Sequence, residues 1–210
     1  MTGRFGAILA SVVMAGALIS AQQQQRTPEE YAKFLEGADR VARMQVPRVV
    51  EALGLKPGMK VADLGSGSGL FTRPLAKAVL PGGVVYAIDV DPALLKIVDR
   101  SAKDAGIPNV TTVLAAADDP RLPEPVDLIF ICDTLHHIGN QDPYVKKLRQ
   151  YLKPGGRVAI IDFAERWPEG HEPMQYSLQQ LEGWMKDAGF VRTQSIDWLE
   201  NSFFVFFEPR

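Results

Sequence analysis

A glycine-rich segment directly after a short apolar run constrains this chain most. Residues 60–69 read Lys-Val-Ala-Asp-Leu-Gly-Ser-Gly-Ser-Gly, and an amphipathic stretch containing Leu70, Phe71 and Leu75 follows at once. This order predicts a strand, a tight glycine turn and a helix, an arrangement that brings backbone N–H groups close to a ligand. The dinucleotide-binding pattern G-x-G-x-x-G is not present, because Leu70 or Thr72 occupies the place of its third glycine.

A second apolar run, residues 84–88, ends in an acid, Asp89. An acid at the end of the second strand of a βαβ unit accepts hydrogen bonds from ribose hydroxyls, and a carboxylate suits this role because it only accepts. The alternative is that Asp89 caps a helix. We prefer the ribose role, because Asp91 and Pro92 already supply a helix cap and a first-turn proline.

Three further apolar runs follow in order. Residues 110–114 precede three alanines and two acids, and residues 126–132 precede Asp133 and a pair of histidines. The run at 126–132 is nearly continuous in apolar residues, which predicts a strand buried on both faces. Residues 152–162 begin with Leu-Lys-Pro-Gly-Gly, which predicts a turn before the fifth strand.

These five segments, in this order, resemble the class I S-adenosylmethionine-dependent methyltransferases. The D-x-G-x-G-x-G segment matches the first motif of that family, residues 127–138 match the fourth motif, and L-K-P-G-G matches the turn before strand five. The resemblance is to the small domain-11 and domain-25 types, including exported bacterial homologues. It implies an α/β, Rossmann-like fold with a seven-stranded, mostly parallel sheet in the order 3-2-1-4-5-7-6 and helices on both faces.

The resemblance also implies S-adenosylmethionine as cofactor. The residues expected to bind it lie in the glycine turn and after strands two, three and four: Asp63, Gly65, Ser66, Gly67, Gly69, Asp89, Val90, Ala117, Asp118 and Asp133. Asp118, with Asp119 beside it, is expected to accept a hydrogen bond from the adenine amino group. The alternative is that both acids only solvate a loop.

A catalytic base is required only if the acceptor carries a proton that must leave. His136, His137 and Asp133 are the candidates, because the resemblance places them beside the sulfonium and the incoming substrate. The alternative is that one histidine packs under the loop and the other caps a turn. No metal site is expected from His136, His137 and His171, because adjacent histidines on a loop have no familiar ligand spacing.

The acceptor is expected to be a small molecule, aromatic or lipid-like, because Phe163, Trp167, Met174 and Tyr176 follow the fifth strand. A net charge of −2 and the lack of a basic run argue against nucleic acid as a partner. The alternative is a non-catalytic protein that binds adenosylmethionine or a nucleoside. The sequence does not predict an oligomeric state.

The N-terminus predicts export. Arg4 is followed by residues 5–21, which carry no charge, and this pattern is typical of a secretory signal. We divide the chain into a signal peptide or N-terminal anchor (1–21), a glutamine-rich linker (22–26) and a methyltransferase domain (27–210). A cleaved signal implies a periplasmic or secreted protein. An uncleaved one implies a membrane anchor, and a misassigned start codon implies a cytoplasmic protein.

Helices are predicted at residues 28–37 and 40–53, between the linker and the first strand. The first follows a capping box, Thr27-Pro-Glu-Glu. In the family such helices cover the cofactor and help to shape the acceptor pocket, and the candidates for polar contacts there are Tyr31, Arg40, Arg43 and Gln45. The alternative is that each of them lies on the surface or only fills a helix face.

Overall fold

The computed structural model describes residues 26–210, so the predicted signal or anchor and linker residues 22–25 lie outside the described residues. A mixed sheet runs through this part of the chain. Its strands are β1 (Lys60–Leu64), β2 (Val84–Asp89), β3 (Val110–Leu114), β4 (Val126–Cys132), β5 (Leu152–Phe163), β6 (Phe190–Ile196) and β7 (Ser202–Pro209).

The strand order is β3-β2-β1-β4-β5-β7-β6, which confirms the predicted order. Strands β1 to β5 are parallel, whereas β7 runs antiparallel to both β5 and β6. The nearly unbroken apolar run of β4 reflects its position between β1 and β5, where both of its faces are buried. Parallel pairing aligns the carboxyl ends of β1, β2 and β4, and this edge positions the site.

Helices cover both faces of the sheet, as predicted. They are α1 (Pro28–Leu35), α2 (Ala38–Met44), α3 (Val46–Ala52), α4 (Thr72–Ala78), α5 (Pro92–Asp104), α6 (Gln141–Leu148) and α7 (Leu178–Asp187). One core contains Leu148 of α6, Met185 of α7 and Ile131 of β4. The core on the opposite face contains Leu75 of α4 and Phe130 of β4. No helix in the range 26–210 combines the length and the apolar character that a membrane crossing requires.

The N-terminal helices differ from the sequence prediction in one respect. The capping box is present, because the Thr27 side chain accepts from the Glu30 amide and Glu30 accepts from the Thr27 amide. The single helix predicted over 40–53 is wrong, because Gln45 adopts a left-handed backbone conformation with φ 43° and separates α2 from α3. Pro47 explains the break, since its ring clashes with the carbonyl of the residue four places earlier in a continuous helix.

Candidate functional site

A cavity of about 520 Å³ lies at the carboxyl ends of β1, β2 and β4, where ligands bind in open α/β sheets. Its floor is the glycine turn after β1, and its other walls come from α1, the loops after β2 and β3, and the loop after β4. Of the residues predicted to bind a cofactor, those lining it are Asp63, Gly65, Ser66, Gly67, Asp89, Val90, Ala117 and Asp133.

The turn after β1 requires glycine at two positions, where the backbone is left-handed and a Cβ would collide with a neighbouring side chain. Gly65 has φ 79°, and a Cβ there would collide with the side chain of Thr134. Gly67 has φ 52°, and a Cβ there would lie 2.9 Å from Cδ1 of Leu35 in α1. A left-handed backbone is costly for any residue with a side chain, so glycine is favoured at both positions. Because glycine has no side chain, the turn also leaves the cavity open.

Asp89 supports the glycine turn from the end of β2. Its Oδ2 accepts from the Gly67 amide at 2.9 Å, and its Oδ1 accepts from the Asp91 amide at 3.0 Å. Burial raises the pKa of Asp89. Each carboxylate oxygen keeps a further lone pair, so Asp89 can still accept from a ligand. Asp91 caps α5 by accepting from the Ala93 amide at 2.7 Å, so Asp89 is not the cap of that helix.

Asp63 is the most enclosed acid of the cavity wall. It is 3% exposed at the end of β1 and accepts a hydrogen bond of 2.6 Å from the hydroxyl of Thr72 in α4. Burial raises the pKa of Asp63 to about 6, with the hydrogen bond from Thr72 acting in the opposite direction. The carboxylate is therefore mostly ionised at neutral pH and contributes negative charge to the cavity.

Asp133 connects the loop after β4 to α2. Its Oδ2 accepts from Arg43 at 2.9 Å and from Arg40 at 3.3 Å, and its backbone is left-handed with φ 48°. Two guanidinium groups therefore hold one oxygen of Asp133, which ties the loop after β4 to α2. Arg40 and Arg43 both belong to α2, which ends at Met44, just before the break at Gln45.

Three buried polar atoms that belong to the cavity wall have no hydrogen-bond partner among residues 26–210. They are the hydroxyls of Ser66 and Ser68 and the Oδ1 of Asp133. An unpaired buried polar group costs about 1–3 kcal/mol, so such atoms are expected to meet a polar ligand. The wall therefore fits a molecule that carries several donors and acceptors at one end.

Another part of the cavity wall is apolar. Val90 is 62% exposed and lines the cavity together with Leu94 and Ala117. Asp118 is not part of this wall: its side chain is 81% exposed and pairs with Lys147 at 2.9 Å. Gly69 also lies outside the lining residues, beneath the turn and next to Val98.

The two adjacent histidines have different positions. His137 lines the cavity, whereas His136 lies behind it and is 2% exposed. The Nδ1 of His136 is 2.7 Å from Oδ1 of Asp162, and the Tyr176 hydroxyl donates to the other oxygen of Asp162 at 2.7 Å. The residue as a whole is exposed, but desolvation of its ring at the cavity wall, and then the neighbouring rings of His136 and His171, lower the pKa of His137 to about 4.

Sequence reasoning missed Asp162, although a signal was present. An acid near the end of the apolar run of β5 is fully buried in the structure and must have a partner there. Two of the aromatic residues predicted to lie near the site contact His136, the partner of Asp162. Ring centroids of His136 and Phe163 lie 5.7 Å apart, and those of His136 and Trp167 lie 5.3 Å apart.

Residues 61–156 match the family model described as a methyltransferase domain. The chain is 31% identical over 156 residues to the ubiquinone/menaquinone biosynthesis C-methyltransferase UbiE of Burkholderia vietnamiensis, covering 70% of this chain and 61% of that protein. It is 32% identical over 127 residues to UbiE of Shewanella pealeana, covering 60% of this chain and 51% of that one. The chain thus spans between half and two thirds of the length of these curated relatives.

Solved structures agree with the family match. A SAM-dependent methyltransferase from Aquifex aeolicus superposes with a TM-score of 0.76 at 27% identity, covering 87% of this chain and 98% of that one. Magnesium protoporphyrin IX methyltransferase from Synechocystis, with bound SAM, has a TM-score of 0.64 at 21% identity and covers 81% of each chain, which shows a shared fold. Residues 61–156 thus resemble a methyltransferase domain, and the strand order and overall fold of the described residues are similar to those of a SAM-dependent methyltransferase.

Proposed function

We propose that the chain transfers a methyl group from S-adenosylmethionine to a small, aromatic or lipid-like acceptor that enters beside His137. One observation carries this proposal. A single cavity combines the glycine turn, the unpaired polar atoms and Asp89 with an apolar part of the wall, and it borders the aromatic group around His136. Those features match a ligand with an amino-acid end, a ribose and an adenine.

The chain's residues divide the work of holding the cofactor. Asp89 accepts from the ribose hydroxyls, as its place at the end of β2 suggests. Val90 and Ala117 contact the adenine with their apolar surfaces. At the polar end, Arg40 offers a cation for a carboxylate, and Oδ1 of Asp133 offers an acceptor for an ammonium group.

S-adenosylmethionine supplies a sulfonium methyl group that is already activated for transfer. The main task of the protein is therefore to hold donor and acceptor in near-attack geometry. A pKa near 4 leaves His137 neutral at pH 7, but it also makes His137 a weak base, because a general base works best when its pKa is close to the working pH. We therefore assign His137 to contact with the acceptor.

The nature of the acceptor is suggested by the neighbourhood of the histidines. Phe163, Trp167 and Tyr176 form an aromatic group around His136, behind the cavity wall, with Trp167 and Tyr176 at a ring distance of 5.8 Å. Phe163 and Tyr176 are buried, whereas Trp167 is partly exposed and offers a ring against which a flat apolar molecule can pack. The names of the UbiE relatives describe C-methylation in quinone biosynthesis, which is consistent with an aromatic acceptor.

The test is to incubate the purified chain with isotopically labelled S-adenosylmethionine and a panel of phenols, quinols and isoprenoid lipids. Transfer of the label to a member of the panel, and its loss in the Asp89→Ala variant, supports the proposal. Tight binding of the cofactor without transfer to any acceptor would favour the non-catalytic alternative. Binding of NAD but not of adenosylmethionine would overturn both.

We also propose that residues 1–21 direct the protein out of the cytoplasm. The support is the sequence alone, in which Arg4 precedes an uncharged stretch that ends in small residues. An exported enzyme needs its cofactor delivered to its compartment, so location and activity have to be measured in the same host.

A further inference from the structure

The histidines of this chain converge on one point. The sequence contains three, and His136, His137 and His171 place one ring nitrogen each within 4.8 Å of one another. His136 and His137 belong to the 3₁₀ turn Leu135–His137 after β4, whereas His171 comes from the segment between β5 and α7. The fold thus adds a third histidine to the adjacent pair, which the spacing in the sequence did not indicate.

Two of the three rings are oriented by hydrogen bonds at the same nitrogen. Nδ1 of His136 faces the carboxylate of Asp162 at 2.7 Å, and Nδ1 of His171 faces the carbonyl oxygen of Glu169 at 3.3 Å. A carbonyl or an ionised carboxylate only accepts, so Nδ1 donates and the lone pair of a neutral ring lies on Nε2. Histidines that bind metals are held in this way, by an oxygen acceptor on the ring nitrogen that does not bind the ion.

We propose that His136, His137 and His171 bind a divalent transition-metal ion of the zinc type. Zinc–nitrogen bonds of about 2.0–2.1 Å place tetrahedral ligand nitrogens roughly 3.4 Å apart. The three ring nitrogens lie within 4.8 Å of one another, so binding requires the rings to draw closer together. Imidazole ligands suit zinc, copper, nickel and iron, whereas magnesium and calcium require oxygen ligands.

The position of the cluster determines what the ion would do. Three histidines leave the fourth position of a tetrahedral ion open, as in catalytic rather than structural zinc sites. His137 lines the cofactor cavity, so the ion lies at its edge, on the side of the aromatic group. An ion there binds and polarises an oxygen of the acceptor, a consequence that rests on the proposed methyl transfer. The metal site itself does not depend on that activity.

The experiment uses the full chain without a histidine tag, first stripped of metal with a chelator. Zn²⁺ is titrated in competition with a chromogenic chelator, and Co²⁺ serves as a spectroscopic probe. We expect one equivalent of either ion to bind and the Co²⁺ complex to show the visible absorption of tetrahedral coordination. If neither ion is retained at a stoichiometry of one, the proposal is overturned and the cluster is a packing arrangement of neutral rings.

Variants locate the ion. His171→Gln changes a partly exposed residue outside the sheet, so its fold is expected to persist, as circular dichroism can verify. It should lose the Co²⁺ spectrum, whereas Gln175→Ala, in the same segment but outside the cluster, should keep it. Asp162→Asn tests the positioning residue and should weaken Zn²⁺ binding about 10- to 100-fold. Unchanged metal binding in His171→Gln would refute the assignment.

A further control separates this site from the methyltransferase function. Adenosylhomocysteine binding should be unchanged in His171→Gln, because that residue does not line the cavity. Metal binding without methyl transfer would leave the site standing and remove only the proposed activity.

Discussion

Replacing Asp89 with alanine is the most direct test of the cofactor site. The carboxylate is predicted to accept from the ribose hydroxyls, and in the structure it also holds the glycine turn through the Gly67 amide at 2.9 Å. Alanine removes both functions, so the variant should bind adenosylmethionine and adenosylhomocysteine more weakly. The fold should persist, since burial raises the pKa of Asp89 and its charge is not a source of stability.

The size of the effect follows from the number of bonds lost. Hydrogen bonds to a charged group contribute about 1.5–3 kcal/mol, and each 1.4 kcal/mol corresponds to a factor of about ten in affinity. We therefore expect a loss of at least tenfold and up to roughly 150-fold. Asp89→Asn keeps one neutral acceptor oxygen, so its affinity should lie between those of the native chain and the alanine variant.

Isothermal titration calorimetry with adenosylhomocysteine measures this loss without turnover. The matched control is Asp118→Ala, which removes the acid after the next strand. Since Asp118 points to Lys147 and not into the cavity, its removal should leave the affinity unchanged. An Asp89→Ala variant that binds as well as the native chain, or an equal loss in Asp118→Ala, would refute the reasoning.

Three further predictions concern the glycine turn, pH and location. Gly67→Val should lose cofactor binding and stay folded, because the added side chain meets Leu35 at the cavity wall. The control is Gly183→Ala, which lies in open space on α7 and should change neither cofactor binding nor folding. Unaltered cofactor binding by Gly67→Val, measured by calorimetry, would contradict this prediction. The pKa of Asp63 is raised from 3.8 to about 6, so the native chain should lose stability as the pH rises from about 4 to above 6. Relative to Asp63→Asn, the loss in the free energy of unfolding should be about 3 kcal/mol, measured by denaturant titration. A difference between the two proteins that does not change with pH would be inconsistent with the raised pKa. Fractionation of the native host should find the protein outside the cytoplasm with an N-terminus near Gln22, and a cytoplasmic protein that retains Met1 would disprove export.

The sequence predicted the sheet well because the information is local. The apolar run of β4 is buried on both faces, and glycines at positive φ mark the turn after β1, so each element carries its own signal. The strand order came from the resemblance to a known family. The break at Gln45 was missed, although Pro47 offered a local reason for it.

The site was predicted less completely, because its contacts join distant parts of the chain. The pairing of His136 with Asp162 depends on how β4 and β5 align, which no local pattern specifies. The direction of an exposed side chain such as Asp118 is decided by the nearest cation, here Lys147 of α6. His171 reaches the other two histidines through a segment without regular alternation of polar and apolar residues.

The ion pairs that Arg40 and Arg43 of α2 form with Asp133 determine how far this chain can be shortened from its N-terminal side. A form that begins after Gly37 would keep every strand and the whole glycine turn, yet it would lack α1, which supplies Tyr31 and Leu35 to the cavity wall. A form that begins after Met44 would also leave the nearly buried Asp133 carboxylate without its two cations. Removal of the apolar leader should therefore stop before Arg26, whose guanidinium lies over the ring of Phe34 at 4.3 Å.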